Sequence, residues 1–405
     1  MNVRSITFFV HLDPRQPDLD SLAEYVVAFK EALSRADYTV QTVRLALPPW
    51  PDVTNEDPAL GLELAQKLDE EAPPRGFEYT SLGPIVCRER RHLEMLGHLP
   101  AWLAATRTIF LSADYSSKEL GAWPDAALAI ADVVRANAQV EPGGFANLRF
   151  AALVNVPSGV PFFPAAYAPF TQRPAVALAL EAGPLAVEAF QGATTLADAT
   201  RRLSQRVEQE ALGLLKVIRA MCEAHHLSFL GFDFSLAPFP RPEQSTAAAV
   251  EAVGPAPFGV SGTLAVAAAL TEALRQARYP RCGFNGLMLP VLEDAVLAAR
   301  AKERTYTVHE LLLYSAVCGT GLDTVPLPGD VDRLTLASLL LDVAALALRL
   351  DKPLAARLMP IPGKRAGDPV TFDFPYFADS VVLDVRGPTR ADSALFGGEW
   401  MPYRP

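Results

Sequence analysis

Two polar residues follow an apolar stretch in the later half of the chain and could take part in acid–base chemistry. Leu227 to Phe232 has the pattern of a strand, and Asp233 and Ser235 come directly after it. Residues two apart in an extended chain face the same side, so these side chains would share one surface. Polar residues at strand ends often build the sites of α/β proteins. We predict a catalytic role for Asp233 and a substrate contact for Ser235; a turn before Pro238 is the alternative.

Opposite charges further along the chain could bind a small anion and act on it. Asp323 lies in a glycine-rich stretch without helical or strand pattern, which predicts a loop that positions a functional group. Arg357 interrupts an apolar strand, and Gly363 and Lys364 lie in the loop that follows, without the spacing of a P-loop. Such cations suit a carboxylate or phosphate. We predict Asp323 and Lys364 as catalytic, and Arg357 and Gly363 as substrate contacts. A salt bridge of Arg357 and a solvated turn at Arg365 are the alternatives.

Cys318 is a candidate nucleophile because it follows an apolar helix predicted from Val308 to Val317. The negative end of a helix dipole opposes formation of the thiolate, so a nearby cation such as Lys364 or Arg357 would be needed. The alternative is a small buried hydrophobic residue.

Carboxylates that could hold a hard divalent cation, Mg²⁺ or Ca²⁺, occur at two places. Glu293 and Asp294 fall in the first turn of a helix predicted from Pro290 to Lys302, and Asp368 closes the loop after Lys364. The pair could instead only stabilise the helix dipole. The sequence carries no signal for zinc, haem or NAD, since it lacks CxxC pairs, metal-ligand histidine spacing and a dinucleotide fingerprint.

Two further segments have a functional and a structural interpretation. Ser261, Gly262 and Thr263 precede a predicted helix, whose free N–H groups would accept an anion from the substrate; capping by Ser261 is the alternative. Asp342 lies in a helix that is apolar on nearly all sides. We therefore expect it to be buried, either in an ion pair or as an acid–base group.

Strand-like and helix-like patterns alternate along the whole chain, which predicts an α/β fold with helices packed outside a sheet. No clear linker or repeat divides residues 1–405, so we expect one compact unit. The segment from 157 to 174, rich in proline, phenylalanine and alanine, is predicted to be a loop that serves as a lid or a dimer contact.

Three long motifs resemble a known family: Gly231-Phe-Asp-Phe-Ser-Leu-Ala-Pro-Phe-Pro240, Cys318-Gly-Thr-Gly-Leu-Asp-Thr-Val-Pro-Leu-Pro-Gly-Asp330 and Arg357-Leu-Met-Pro-Ile-Pro-Gly-Lys-Arg-Ala-Gly-Asp368. They are similar to an uncharacterised prokaryotic family, domain-of-unknown-function family number 711, often labelled pyruvate-formate-lyase-like. The resemblance covers residues 227–385 well and 1–226 loosely. It implies a closed α/β barrel like that of pyruvate formate-lyase, with helices outside and the site at its mouth or interior.

Glycyl radical chemistry is not expected from this resemblance. Radical enzymes of that kind carry an Arg-Val-x-Gly-aromatic stretch near the C-terminus, whereas here the nearest sequence is Val385-Arg386-Gly387-Pro388. An adjacent cysteine pair is also missing, since Cys318 stands alone.

Composition narrows the class of protein. Half of the residues are hydrophobic, which excludes the disordered class. The net charge of -10 and the lack of a basic run argue against nucleic acid as a partner. No signal peptide and no apolar stretch of about 18 residues is found, so we expect a cytoplasmic protein without a membrane partner.

These observations favour an enzyme that acts on a small anionic metabolite. A non-catalytic protein that binds or senses such a metabolite in the same pocket remains open, and so does a structural scaffold without a pocket. We also expect a homodimer.

Overall fold

The computed structural model describes residues 2–170, 173–388, 394–396, 398 and 400–403. Its strands are β1 (Asn2–Phe9), β2 (Thr39–Ala46), β3 (Tyr79–Val86), β4 (Ile109–Asp114), β5 (Ser116–Ser117), β6 (Gly121–Ala122), β7 (Phe150–Val154), β8 (Ala175–Leu180), β9 (Ser228–Asp233), β10 (Gly321–Pro328), β11 (Leu354–Ile361), β12 (Pro369–Val370) and β13 (Ser380–Val381). Its helices are α1 (Asp20–Arg35), α2 (Trp50–Val53), α3 (Pro58–Glu71), α4 (Arg90–Leu96), α5 (Leu99–Ala105), α6 (Pro124–Asn137), α7 (Gly183–Phe190), α8 (Leu196–Ala224), α9 (Thr246–Ala252), α10 (Thr263–Gln276), α11 (Ala295–Lys302), α12 (Val308–Ser315) and α13 (Arg333–Arg349). Short 3-10 turns span Pro73–Arg75, Pro142–Arg149, Pro242–Gln244 and Ala394–Phe396.

Nine strands form one sheet in the order β10-β11-β7-β4-β3-β2-β1-β8-β9. The inner strands β7, β4, β3, β2 and β1 are parallel to one another, because helices connect them. Their outer neighbours β11 and β8 are antiparallel to them. β10 and β9 then continue parallel to β11 and β8. The predicted α/β class is confirmed.

The two faces of the sheet are packed differently. On one face, side chains such as Val43 and Leu45 of β2 join the helices in a large core that includes residues from Val3 to Leu383. The opposite face carries small side chains, among them Ala177 of β8, and the segment 159–168 packs against them. Small inward side chains thus leave room for a length of chain on the inner face.

Hydrogen bonds fasten this segment to the inner face. The hydroxyl groups of Ser5 and Thr7 on β1 both donate to the carbonyl oxygen of Pro161, at 3.3 and 3.0 Å. The loop predicted from 157 to 174 is therefore a loop, and its middle is buried within the fold and is not an exposed lid. A dimer contact through this segment stays a prediction. Its positions 171 and 172 lie outside the described residues.

The segment from 281 to 290 reaches both ends of the strand order. It forms parallel bridges with Phe232 and Leu236, in and just after β9, and a parallel bridge with Asp323 of β10. The contacts of this segment are isolated bridges and do not form a regular strand. These bridges also place β9 and β10, which are at opposite ends of the strand order, close to one another.

β10 lies where the sequence predicted a loop. Pro326 and Pro328 lack the N–H group that a central strand donates, and such residues are confined to strands that lack a full partner on one side. β10 pairs regularly with β11 alone, so the missing donors leave no ladder incomplete. The prediction of a loop was wrong because the local sequence pattern does not show which strands lie beside β10.

Two helix predictions also need correction. α11 begins at Ala295 and not at Pro290, because the side chain of Asp294 accepts hydrogen bonds from the backbone N–H groups of Val296 and Leu297 and caps the helix. Asp342 on α13 is exposed, so its expected burial was wrong. Among the described residues, no helix combines the length and the apolar content needed to cross a lipid bilayer.

Candidate functional site

A cavity of about 520 Å³ lies against the inner face of the sheet, beside segment 159–168. Residues of β1, β2, β3, β4, β7, β10 and β11 contribute to its lining. The charged lining residues are Arg4, Arg44, Arg107, Glu141, Arg149, Glu293, Asp323 and Arg357. Charges from distant parts of the chain therefore meet at one place.

Four of these charges form a continuous network of ion pairs. Arg4 Nη2 donates to Glu293 Oε2 at 2.7 Å, and Arg357 Nη2 donates to Glu293 Oε1 at 2.8 Å. Arg357 Nε also donates to Asp323 Oδ1 at 2.6 Å. Each arginine thus has a carboxylate partner, and Arg357 has two. Charge-assisted bonds of this kind hold the side chains in fixed orientations.

Local irregularities of the backbone aim these side chains inward. Asp323 and Arg357 lie on the neighbouring strands β10 and β11, whose pairing shifts between Leu322 and Val325. Arg4 lies where the pairing of β1 with β8 shifts between Val3 and Ser5. Bulges of this kind redirect a side chain relative to its neighbours.

Burial and charge act in opposite directions on this network. Burial raises the pKa of Asp323 above its ordinary value, although the adjacent Arg357 lowers it, and Glu293 raises it further. Burial lowers the pKa of Arg357, but the two carboxylates outweigh this and raise it above its ordinary value. Arg357 therefore stays charged, while the titration of Asp323 moves towards neutral pH.

Arg44 differs from the other buried arginines of the cavity. It is 8% exposed, and among the described residues no carboxylate lies within ion-pair distance of it. Its Nε donates to Thr42 Oγ1 at 3.0 Å, which leaves both terminal nitrogens without a described acceptor. Burial and the nearby Arg4 lower the pKa of Arg44 to about 9, and Arg357 also lowers it, although Tyr79 and Glu293 raise it. The guanidinium is thus still charged at neutral pH.

Aromatic rings hold this guanidinium in place. Its central carbon lies 5.2 Å from the ring centroid of Phe163 and 5.8 Å from that of Tyr79. Both distances are within the range of cation–π attraction. Since Phe163 belongs to segment 159–168, the inserted segment helps to orient the cation.

Comparison with known proteins shows which family these residues belong to. Residues 1–376 match the family described as "Uncharacterised ACR (DUF711)". The chain belongs to this family. The predicted resemblance to family number 711 is confirmed, and the match includes residues 1–226, which the resemblance was expected to cover only loosely. Nothing in the match bears on pyruvate formate-lyase, so that likeness stays a prediction.

Relatives of this DUF711 chain occur in distant prokaryotes. A UPF0210 protein of Pyrobaculum islandicum is 33% identical over 356 residues, which are 84% of this chain and 78% of the relative. A UPF0210 protein of Syntrophobacter fumaroxidans is 30% identical over 334 residues, 77% and 72% of the two chains. A UPF0210 protein of Neisseria meningitidis is 27% identical over 402 residues, 92% and 88%.

Of the residues that the sequence singled out in this DUF711 chain, Asp323, Arg357 and Glu293 come together at the cavity. Two of the three have contacts that differ from their predicted roles. Arg357, predicted as a substrate contact, forms the salt bridges of the structural alternative. Glu293 was expected beside Asp294 as a cation ligand, but it bridges Arg4 and Arg357 instead.

Asp233 and Ser235 form a closed turn outside the described cavity lining. Asp233 is fully buried and accepts hydrogen bonds from Ser235 Oγ at 2.6 Å, and from the backbone N–H groups of Phe284 at 2.7 Å and Asn285 at 3.0 Å. Burial raises its pKa, although these bonds lower it. The contacts are those of the structural alternative, in which the carboxylate joins β9 to the segment 281–290.

Cys318 is buried and is not among the described residues that line the cavity. Its sulfur accepts the backbone N–H of Gly321 at 3.2 Å. The cation near Cys318 is Lys352. It is neither Lys364 nor Arg357, the two cations that the sequence suggested. The ammonium group of Lys352 donates to the carbonyl oxygen of Ser315, the last residue of α12, and to that of Cys318. These contacts are typical of a structural residue.

Gly363, Lys364 and Asp368 lie in the loop after β11, away from the described cavity lining. Lys364 is half-buried, and among the described residues its hydrogen bonds are those of its backbone, whose carbonyl accepts the N–H of Gly329 at 3.0 Å. Asp368 accepts the N–H of Arg365 at 2.7 Å. Hydrogen bonds of its own backbone and of Asp368 therefore hold the loop, and the loop does not share a site with Asp323.

Ser261 and Gly262 are exposed at the start of α10, and Thr263 is buried. Gly262 occupies the N-cap position with φ of 102°, which a glycine adopts readily, so the predicted capping by Ser261 was wrong. None of the three belongs to the described lining of the cavity.

The carboxylates proposed as cation ligands do not gather. Asp294 is buried and accepts hydrogen bonds from Ser245 Oγ at 2.5 Å and from the N–H groups that begin α11. Within the described residues, no group of at least three histidine, cysteine, aspartate or glutamate side chains could hold a metal ion.

Arg4, Arg44 and Tyr79 line the cavity but were not predicted, because they lie outside the motif-bearing residues 227–385. The signal that picked out Arg357, a cation that interrupts an apolar strand, is present at Arg4 and Arg44 as well. Applied to the whole chain, it would have found all three arginines.

Proposed function

We propose that this protein is a non-radical enzyme that acts on a small organic anion held in the cavity by Arg44. The observation that supports this proposal is the buried guanidinium without a carboxylate partner. An isolated buried charge is costly, so a protein retains one where a ligand completes the pairing. The acceptor would be a carboxylate or phosphate, whose geometry matches the guanidinium.

A polar group of the cavity supports the same proposal. Thr320 is 5% exposed and lines the cavity, and its hydroxyl oxygen has no hydrogen-bond partner among the described residues. Buried hydroxyl groups are rarely left unpaired. A polar atom of the bound ligand, or a water held beside it, would satisfy this group.

We further infer that the sheet closes into a barrel around the cavity, as the family resemblance implied. The parallel bridges of the segment 281–290 to β9 and to β10 support closure, because they join the two ends of the strand order. Helices pack against one face in the large core, and the cavity lies on the other face. In this arrangement the site is in the barrel interior.

Asp323 is the proposed acid–base group. It lines the cavity, one of its oxygen atoms is held by Arg357, and burial raises its pKa. A carboxylate whose pKa is moved towards neutrality can accept a proton from a bound ligand and return it. Arg4 and Arg357 would act as positioning residues by fixing Glu293 and Asp323.

A second candidate is a protein that binds the same anion without chemistry. Arg4 and Arg357 are paired with Glu293 and Asp323. This pairing favours the second candidate, because it leaves Arg44 as the arginine that contacts the ligand. The two candidates differ in Asp323: chemistry requires its carboxylate, whereas binding requires only Arg44. The homodimer predicted from the sequence also stays a proposal, and sedimentation of the purified chain tests it.

The experiment compares wild type with Arg44→Gln and with a matched control, Arg300→Gln. Arg300 is paired with Glu251 and Glu303 and lies outside the described cavity lining. Native mass spectrometry would look for a co-purifying organic anion, and titration calorimetry would use acetate, benzoate, inorganic phosphate and phenyl phosphate. Binding that Arg44→Gln abolishes and Arg300→Gln retains supports the proposal. The proposal is refuted if none of these anions binds in a way that depends on Arg44.

A further inference from the structure

We propose that the ligand has one anionic head group and a bulky apolar body, such as an aryl carboxylate or an aryl phosphate monoester. This inference rests on the proposed function and names the class of compound that the cavity accepts. It depends on three features of the cavity: its charge balance, its apolar lining and its size.

The charge balance of the buried cavity leaves room for one anionic group. Glu293 and Asp323 neutralise Arg4 and Arg357, and Glu141 pairs with Arg149 at 2.6 Å. Arg44 is then the one buried arginine of the described lining without a carboxylate partner. A second anionic group on the ligand would lie near carboxylates in a medium of low dielectric constant, where repulsion is strong.

Arg107 also lines the cavity but does not change this balance. Its side chain is exposed, and its backbone N–H is bonded to Asp69 at 2.9 Å. Exposed charges are screened by water and salt. Arg107 would therefore attract an anion towards the entrance without holding a second head group.

The remainder of the lining is mostly apolar and aromatic. It includes Phe110, Phe163, Phe284, Phe374 and Tyr376. Phe163 lies against Arg44 on one side and against Phe110 on the other, with 5.3 Å between the two ring centroids. A ligand whose head group meets Arg44 would therefore place its body directly among these rings, where apolar surface is removed from water.

The size of the cavity points in the same direction. A volume of about 520 Å³ lies in the range of about 300–1,000 Å³ that is usual for sites of drug-sized ligands. Acetate or inorganic phosphate alone would occupy a small part of it and leave the aromatic rings hydrated. A body attached to the head group would fill this space.

The test is a two-by-two set of ligands in which the head group and the body vary independently. Acetate and benzoate share a carboxylate, and inorganic phosphate and phenyl phosphate share a phosphate. The inference predicts that each phenyl compound binds about tenfold or more tightly than its small counterpart. The stronger of the two phenyl compounds shows which head group Arg44 prefers.

Two variants of the segment between β12 and β13 sharpen the test. Phe374→Ala removes a half-buried ring of the cavity lining, and Phe372→Ala removes a half-buried ring of the same segment outside that lining. Both rings pack against Phe145, so the effects on folding should be similar. Phe374→Ala should weaken benzoate at least about fivefold and leave acetate unchanged, whereas Phe372→Ala should leave both unchanged.

The outcomes separate this inference from the proposed function. If small and phenyl anions bind equally well, and both need Arg44, the proposed function stands and the inference about an apolar body is refuted. If no anion depends on Arg44, the proposed function itself fails, and the inference fails with it. Selective loss of the phenyl compounds in Phe374→Ala supports both.

Discussion

Arg357 on β11 and Asp323 on β10 form a buried ion pair across two neighbouring parallel strands, with 2.6 Å between Arg357 Nε and Asp323 Oδ1. The same guanidinium holds Glu293, which in turn holds Arg4. The network is neutral as a whole, and it places Arg44 beside a balanced set of charges.

Removal of Arg357 should therefore destabilise the fold strongly. Arg357→Met leaves Asp323 without its ion-pair partner and takes one of two partners from Glu293, and the loss should be about 3–5 kcal/mol in the free energy of unfolding. Urea denaturation measures this. The double variant Arg357→Met, Asp323→Asn should recover part of the loss, because the uncompensated charge is gone. Equal stability of wild type and Arg357→Met would contradict the buried network.

Arg44 should behave in the opposite way. In Arg44→Met the buried cation without a carboxylate partner is replaced by an apolar chain of similar length, which should raise the free energy of unfolding by about 1–2 kcal/mol in ligand-free protein. The gain is limited because the bond to Thr42 and the contacts with Tyr79 and Phe163 are lost. Benzoate should reverse the order, since it stabilises only the wild type. Arg300→Met, which loses ion pairs with Glu251 and Glu303, should be less stable under both conditions.

Binding of benzoate should tighten as pH falls. Burial raises the pKa of Asp323, so this carboxylate takes up a proton at a higher pH than an exposed aspartate does. The protonated form is neutral, and the cavity then has one more positive charge to offer to the anion. We expect affinity to rise about threefold to tenfold between pH 8 and the raised pKa, while benzoate is still ionised. Calorimetry should give a flat profile for Asp323→Asn; an equal slope in both proteins would assign the effect to another group.

Asp233 and Lys364 should not affect binding. Asp233→Ala removes a buried acceptor of several hydrogen bonds and should cost about 2–4 kcal/mol of stability, with benzoate affinity unchanged in the folded protein. Lys364→Glu should change stability by less than about 0.5 kcal/mol and leave affinity unchanged. Loss of benzoate binding in Lys364→Glu would restore the role that the sequence suggested for this residue.

The α/β class could be predicted from the sequence because local patterns carry it. Strands such as β2 and β8 alternate or continue in β-branched and apolar residues, and helices such as α3 and α6 bury apolar residues at helical spacing. β10 could not be predicted, because it contains Pro326 and Pro328. A strand tolerates such prolines when it lies at the end of the strand order, as β10 does.

The candidate site could be predicted in part. Asp323 and Arg357 were identified by charge within apolar or glycine-rich surroundings, and they are adjacent on neighbouring strands. Asp233 has the same local signal, but its partners, Phe284 and Asn285, lie about 50 positions away in sequence and occupy its lone pairs. Which carboxylate is free and which is fully bonded depends on such distant contacts, which no local pattern contains.

The position of a bound anion tests the central claim most directly. A crystal structure with 4-bromobenzoate would locate the bromine by its anomalous signal and the carboxylate by its density. The account predicts the carboxylate within hydrogen-bond distance of the terminal nitrogens of Arg44, with the ring among Phe110, Phe163 and Phe374. A carboxylate bound at Lys364, or anywhere else away from Arg44, would contradict it.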